Sequence, residues 1–179
     1  MTQQTAVAAS DVYLYHLGWT LRIAPSDAQQ FQLWRDQTLM FSGRLEILKN
    51  RQELSCEMVN WQFRTKTDRL EQWGQLHDGE TLSLNMNYRF TDEALVIEYL
   101  ARNAVPIRLD VRHHINASEQ AEHSFSATVT DQTARDNPPH STEIWGNMPQ
   151  PKRVPPSLSH NQPFNEAFSA KQWIVLSKQ

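Results

Sequence analysis

The sequence predicts an all-β protein, an antiparallel sandwich or a flattened barrel of about nine strands. Two observations carry this prediction: apolar and polar residues alternate with a period of two, and polar turn residues separate the alternating runs. The cleanest run spans residues 82–90, where Leu, Leu, Met, Tyr and Phe share one face and Ser, Asn, Asn and Arg share the other. One apolar and one polar face is typical of an antiparallel sheet that covers a core.

The first predicted element is one long strand over residues 13–23, whose odd-numbered residues predict a single buried face. Residues 26–40 fit two short strands that turn at 35–38, or a helical turn after Pro25; strand neighbours favour the hairpin. Residues 45–48 and 54–63 predict another hairpin around Asn50 and Arg51. Residues 70–76 fit a short helix or an ordered loop.

The sequence of the second half of the domain predicts a β-meander. Four alternating or apolar runs follow one another with short polar turns, at residues 82–90, 95–101, 105–113 and 125–129. Sequential antiparallel strands joined by short turns usually pair with their neighbours. The run at 173–176 predicts a closing strand.

A long Pro-rich insertion precedes this last strand, because seven of the nine prolines lie between residues 138 and 163. Proline cannot donate to a β-ladder and favours extended conformations. The sequence therefore predicts a disordered N-terminus (1–10), a β-domain (11–137), a Pro-rich extended arm (138–166) and a C-terminal strand that completes the β-domain (167–179). Long loops of this kind are often binding elements. The arm carries our candidate partner-binding residues: Trp145, Met148, Lys152, Arg153 and Phe164.

Composition excludes several classes of protein. Five glycines cannot build a Gly-rich phosphate loop, and the single cysteine, Cys56, excludes a disulfide framework and a Cys-rich zinc site. A net charge of −3 and a pI near 6.1 argue against nucleic acid as the partner. The mean hydropathy of −0.63, without a long apolar run, predicts no membrane span. The N-terminus lacks the features of a signal peptide, so we expect a cytoplasmic protein.

No catalytic set or metal site emerges from the sequence. His113 and His114 are adjacent in a predicted strand and so point to opposite faces, which keeps them from sharing one site. Cys56 falls in the alternating run 54–58 and predicts a buried structural thiol. We therefore expect no catalytic residue, no metal and no cofactor.

Aromatic residues offer a second kind of site. Their positions fit either core packing or a barrel interior that holds a small apolar or aromatic ligand. The candidate ligand-binding residues are Tyr13, Tyr15, Trp19 and Trp61.

Residues 82–118 combine a Thr-Asp turn at 91–92, an apolar strand at 94–100, Pro106-Ile107 and a strand that ends in His and Asn. In these features the segment resembles the central hairpin of the aldose epimerase β-sandwich. The resemblance implies a carbohydrate-active enzyme that uses residues among Arg112, His113, His114 and Glu98. The chain departs from the family pattern, because the position of the catalytic histidine falls on Arg112.

The sequence thus leaves three functions open. The first is a non-enzymatic accessory or assembly protein that binds a protein partner, or a second copy of itself, through the arm and a sheet face. The second is a small-ligand carrier with an aromatic-lined interior, and the third is the carbohydrate-active enzyme.

Overall fold

The computed structural model describes residues 9–78, 80–103, 109–122, 124–133 and 167–178. Over these ranges the protein is all-β, as predicted, with a 3-10 turn at Pro25–Asp27 and one short helix, α1, at Glu119–Glu122. The strands are β1 (Val12–His16), β2 (Trp19–Ile23), β3 (Gln30–Arg35), β4 (Thr38–Lys49), β5 (Gln52–Glu53), β6 (Gln62–Thr65), β7 (Leu70–Asp78), β8 (Glu80–Phe90), β9 (Ala94–Asn103), β10 (Leu109–Ala117), β11 (Phe125–Thr133) and β12 (Ala167–Lys178).

Two six-stranded antiparallel sheets face each other as a sandwich. The first sheet has the order β1-β2-β3-β4-β10, and β5 pairs with the end of β4. The second sheet has the order β11-β12-β9-β8-β7-β6. Strand β12 lies between β11 and β9, so the C-terminal segment is hydrogen-bonded inside the second sheet.

Three tight turns connect the strands of the first sheet. Each has two central residues with positive φ, the geometry that matches the twist of a hairpin. These turns lie at Leu17-Gly18, Asp36-Gln37 and Asn50-Arg51. The hairpin prediction for residues 31–41 and the turn at Asn50 and Arg51 are therefore confirmed.

The prediction of one long strand over residues 13–23 is wrong. The chain turns at Leu17-Gly18, where φ is 45° and 81°, and β1 folds back on β2. Because the loop has two residues, an even-numbered position on β1 pairs with an odd-numbered position on β2, as Leu14 does with Leu21. The buried face therefore changes from even numbers on β1 to odd numbers on β2, which leaves Tyr13 and Tyr15 outside.

Three further expectations need correction. Residues 54–61 form a loop rather than a strand, so Cys56 is buried in a loop. Residues 70–76 belong to strand β7, neither a helix nor a loop. The meander stops after β9, because β10 crosses to the first sheet and pairs with β4. The described residues form twelve strands, whereas the sequence predicted about nine.

The core lies between the sheets and contains residues from both. Trp19 packs near Phe41, at 6.3 Å between ring centroids, and meets Phe125 of the second sheet edge-on at 5.0 Å. The largest fully buried side chains are Tyr88, Tyr99, Phe31, Phe41, Leu21, Ile23, Leu33, Ile47, Leu70, Leu82, Leu84 and Met86. The inward positions of the described strands are thus filled by packed side chains.

Gly43 in β4 makes room for the ring of Phe31 on the neighbouring strand. A Cβ atom at position 43 would lie 2.2 Å from Phe31 Cε1. The ring cannot retreat easily, because Phe31 is fully buried between Tyr88, at 6.1 Å, and His113, at 5.1 Å between ring centroids. We infer that glycine is required here by close packing rather than by backbone conformation.

We predict that Gly43→Ala destabilises the protein by about 1–3 kcal/mol, because overpacking forces the Phe31 ring and its neighbours apart. Urea unfolding followed by tryptophan fluorescence measures this loss. The matched control is Ser42→Ala, which changes the adjacent, half-buried position and should cost less than about 0.5 kcal/mol. Equal stability of the two variants would contradict the packing argument.

Candidate functional site

A buried hydrogen-bond cluster joins the two sheets around His113. Its Nδ1 lies 2.7 Å from the Tyr99 hydroxyl, and its Nε2 lies 3.4 Å from the Tyr88 hydroxyl. Gln172 binds the His113 backbone twice: its Oε1 accepts from the amide N–H at 3.0 Å and its Nε2 donates to the carbonyl at 2.7 Å. Gln72 accepts from Tyr88 at 2.9 Å and donates to the Ala28 carbonyl at 2.8 Å.

Burial keeps the imidazole of this cluster neutral. Tyr99 donates its single proton to Gln172 Oε1 at 2.6 Å, so its oxygen is an acceptor toward His113 and the imidazole carries its proton on Nδ1. Tyr88 donates its own proton to Gln72, so its 3.4 Å approach to the unprotonated Nε2 is a packing contact. Burial, with a smaller effect from the charge of His114, lowers the pKa of His113 from 6.5 to about 3. Burial also raises the pKa of Tyr88 well above its usual value. Both groups therefore stay uncharged at neutral pH.

The residues that the aldose epimerase resemblance implies do not converge on one site. His113 points into the core and is only 3% exposed. Arg112 and His114 lie on the outer face of the first sheet, where both bind Glu46 Oε2, at 3.1 Å and 2.8 Å. Glu98 lies on the outer face of the second sheet, within 3.5 Å of Arg89 and 3.4 Å of Lys171. These residues therefore lie in three separate places, the core and the two outer faces, and each is held there by structural contacts.

Glu46 of the first sheet and Cys56 of the loop before β6 also lack the chemistry of a reactive centre. Burial opposes ionisation of Glu46, but hydrogen bonds from His114 and Arg112 outweigh it and lower its pKa. Burial raises the pKa of the Cys56 thiol to about 11, which keeps it protonated and unreactive. Within the described ranges, no group of three His, Cys, Asp or Glu residues is placed to hold a metal ion.

The four candidate ligand-binding residues do not share one cavity. Trp19 lies in the core, whereas Tyr13 and Tyr15 lie on the outer face of the first sheet, with exposed fractions of 38% and 68%. Trp61 lies in the loop before β6, half-buried against the core, with Val59 beside it over Gly74. The two-residue turn at Leu17-Gly18 explains the separation, because it changes which side of the strand faces inward.

Tyr13 and Tyr15 belong to a surface that we name the Tyr–Trp face, defined by Tyr13, Tyr15, Arg22 and Trp34. The sheet register places Tyr13 beside Arg22 and Tyr15 beside Thr20, which in turn pairs with Trp34. The tyrosine rings stack, with centroids 5.9 Å apart and planes 12° apart. Three neighbouring strands thus present aromatic side chains and one arginine on the same outer face.

Hydrogen bonds hold the polar part of this face in place. Arg22 Nε and Nη2 donate to Asp11 Oδ2 at 2.7 Å and 2.6 Å. Gln32 Oε1 accepts from Arg22 at 3.3 Å and from the Trp34 indole at 3.2 Å. Arg22 and Trp34 were not expected as site residues, because only the strand pairing brings them next to the tyrosines.

The second sheet carries a concentration of positive charge on its outer face. Arg64, Lys66 and Arg69 all contact the carboxylate of Glu71, which is 7% exposed. Hydrogen bonds from Lys66 and Arg64 outweigh the opposing effect of burial and lower the pKa of Glu71 to about 2. Three cations share one carboxylate, so the patch has an excess of positive charge.

Two predicted segments lie outside the described residues: most of the predicted disordered N-terminus, and the part of the arm that carries the candidate partner-binding residues Trp145, Met148, Lys152, Arg153 and Phe164.

The chain matches no known protein family, no curated protein and no solved structure. In the part of the chain that the structure describes, no helix is long and apolar enough to cross a membrane.

We predict that acid weakens the fold through His113. The unfolded chain binds this proton with a pKa near 6.5 and the folded protein only near 3, so the free energy of unfolding falls as the pH drops below 6.5. Between pH 7 and pH 5 the loss should be about 2 kcal/mol. Urea unfolding at both pH values measures it.

The His113→Gln variant should lose most of this pH dependence, although it is less stable at pH 7 because the cluster is broken. The matched control, His77→Gln, changes an exposed histidine and should keep the wild-type pH dependence. If His113→Gln loses as much stability between pH 7 and pH 5 as the wild type, buried neutral His113 is not the cause.

Proposed function

We propose that this protein is a non-enzymatic accessory or assembly protein that binds a protein partner through the Tyr–Trp face, with the Pro-rich arm as a second contact. One observation carries the proposal: two stacked tyrosines are exposed on a strand whose opposite side, at Leu14, is buried in the core. A rigid strand therefore presents Tyr13 and Tyr15 to solvent in a fixed orientation. Leu17, 65% exposed at the adjoining turn, extends the apolar surface.

The composition of the Tyr–Trp face supports recognition of a protein. Tyr, Trp and Arg are the residues that most often contribute strongly to binding at protein interfaces. Asp11 and Gln32 already hold Arg22 and Trp34 in place, so binding loses little side-chain entropy there. An aromatic, pre-organised patch of this kind suits a partner with a complementary apolar surface.

The packed interior favours recognition on the surface over a ligand held between the sheets. Tyr13 and Tyr15, expected to line an interior, face outward, and the inward positions hold fully buried side chains such as Phe31 and Tyr88. The carrier with an aromatic-lined interior therefore stays the weaker alternative. The enzyme alternative is weaker still, because Arg112 and Glu98 lie on the outer faces of different sheets and His113 is buried in the core.

We predict that Tyr13→Ser and Tyr15→Ser each weaken partner binding at least tenfold, about 1.4 kcal/mol, without lowering stability. A photo-crosslinking amino acid at position 15, used in the native host cells, identifies the partner by mass spectrometry. Calorimetry with the purified partner then gives the affinity of each variant.

The matched control is Met58→Ser, which removes another exposed apolar side chain, 96% exposed, from a loop outside the Tyr–Trp face. Its affinity should equal that of the wild type. A tyrosine double variant that binds as tightly as the Met58 variant would remove the Tyr–Trp face from the interaction.

We further predict that deletion of residues 138–163 weakens the same association and leaves the fold intact. Thr133 of β11 pairs with Ala170 of β12, so a short connection suffices to join these neighbouring strands. Thermal unfolding measures the fold and calorimetry the association. Loss of the cooperative transition would show that the segment belongs to the core, and unchanged affinity would exclude it from the interface.

A further inference from the structure

A groove of about 370 Å³ lies on the outer face of the second sheet, on the side of the molecule that the partner proposal does not use. Trp73 of β7, Asn85 of β8 and Leu100 of β9 are direct neighbours across three strands, and they form two walls and a floor. Gln75, Ser83 and Arg102 form the next row along the strands. The groove is within the size range of small-molecule sites.

The walls of the groove are apolar and widely enough spaced for a flat ring. Trp73 and Leu100 are two strand spacings apart, about 10 Å between backbones, and a planar ring fits between their side chains. Leu100 is 43% exposed although β9 lies in the middle of its sheet. Leu100 and Trp73 line the same groove, so the exposed leucine is part of one apolar surface with the indole.

A residue of β6, the strand that flanks β7 on the side away from β8, also contacts the Trp73 ring. The Arg64 guanidinium lies 5.8 Å from the centroid of the ring, and Arg64 is itself paired with Glu71. This cation–π contact fixes the orientation of the indole before a ligand arrives. A pre-oriented wall lowers the entropic cost of stacking a second ring against it.

The polar groups of the groove lack partners. Asn85 Oδ1 accepts no hydrogen bond and is shielded from solvent among the described side chains. Asn85 lines the groove, and a ligand N–H that reached this oxygen would satisfy it. Arg102 is exposed at the open end, and no acidic residue in the described ranges pairs with it. An anionic group would complement Arg102.

We propose that this groove binds a small planar heteroaromatic anion. Its ring stacks between Trp73 and Leu100, a ring or exocyclic N–H donates to Asn85, and its phosphate or carboxylate binds Arg102. A mononucleotide and an indole carboxylate share this chemistry. The site is independent of the Tyr–Trp face, which lies on the other sheet.

The test is calorimetry of the full chain with four probes: adenosine 5′-monophosphate, adenosine, indole-3-acetate and tryptamine. At least one of the two anions should bind with Kd below 1 mM, and its uncharged or cationic counterpart should bind at least tenfold more weakly. The anion that binds more tightly identifies the source of the ligand. No binding of either anion at 5 mM would overturn the proposal.

Variants locate the binding. Arg102→Gln should weaken the preferred anion about tenfold, and Trp73→Leu should weaken the anion and its counterpart alike, because stacking is lost for both. The matched control is Arg44→Gln, an exposed arginine of the first sheet, which should bind like the wild type. Unchanged affinity in Arg102→Gln, or equal losses in Arg102→Gln and Arg44→Gln, would overturn the assignment. Tyr13→Ser should leave anion binding intact, which separates this site from the partner face.

Discussion

The hydrogen bonds around His113 are the constraint on which the sandwich depends. Apolar packing alone allows two sheets to slide past each other, because it has no fixed direction. Gln172 of β12 removes that freedom by binding both the amide and the carbonyl of His113 on β10. Tyr88 and Tyr99 then fix the imidazole from the second sheet. Loss of one member leaves the others buried without partners, at about 1–3 kcal/mol for each group.

Because side chains fill the space between the sheets, the outer faces are the surfaces on which recognition can take place. The two faces differ in chemistry. The first presents tyrosine and tryptophan around Arg22, whose charge is balanced by Asp11. The second presents a groove with Arg102 at its end and three cations that share Glu71. A net charge of −3 for the whole chain therefore conceals a local positive surface, which composition alone could not reveal.

Much of the local structure could be predicted from the sequence, and less of the arrangement. Alternation locates strands β8 and β9, the β3–β4 hairpin and the turn at Asn50-Arg51, because period-two burial is a local property. The turn at Leu17-Gly18 escaped prediction because alternation continues through it, while the buried side changes from even positions on β1 to odd positions on β2. Strand β10 has the same pattern whichever sheet it joins, so its pairing with β4 has no local signal. The Tyr–Trp face and the groove depend on these pairings.

The polar residues at inward positions carry information that the alternation argument discarded. Gln72 interrupts the inward series of Leu70, Gly74 and Leu76, and Gln172 lies between Ala170 and Ile174. A buried amide or imidazole without a partner costs free energy, so such exceptions on different strands must meet one another or a backbone group. Here Gln172 meets His113, and Gln72 reaches the same histidine through Tyr88. These inward polar residues therefore constrain which strands of the two sheets lie opposite each other. Alternation of apolar and polar residues contains no such information.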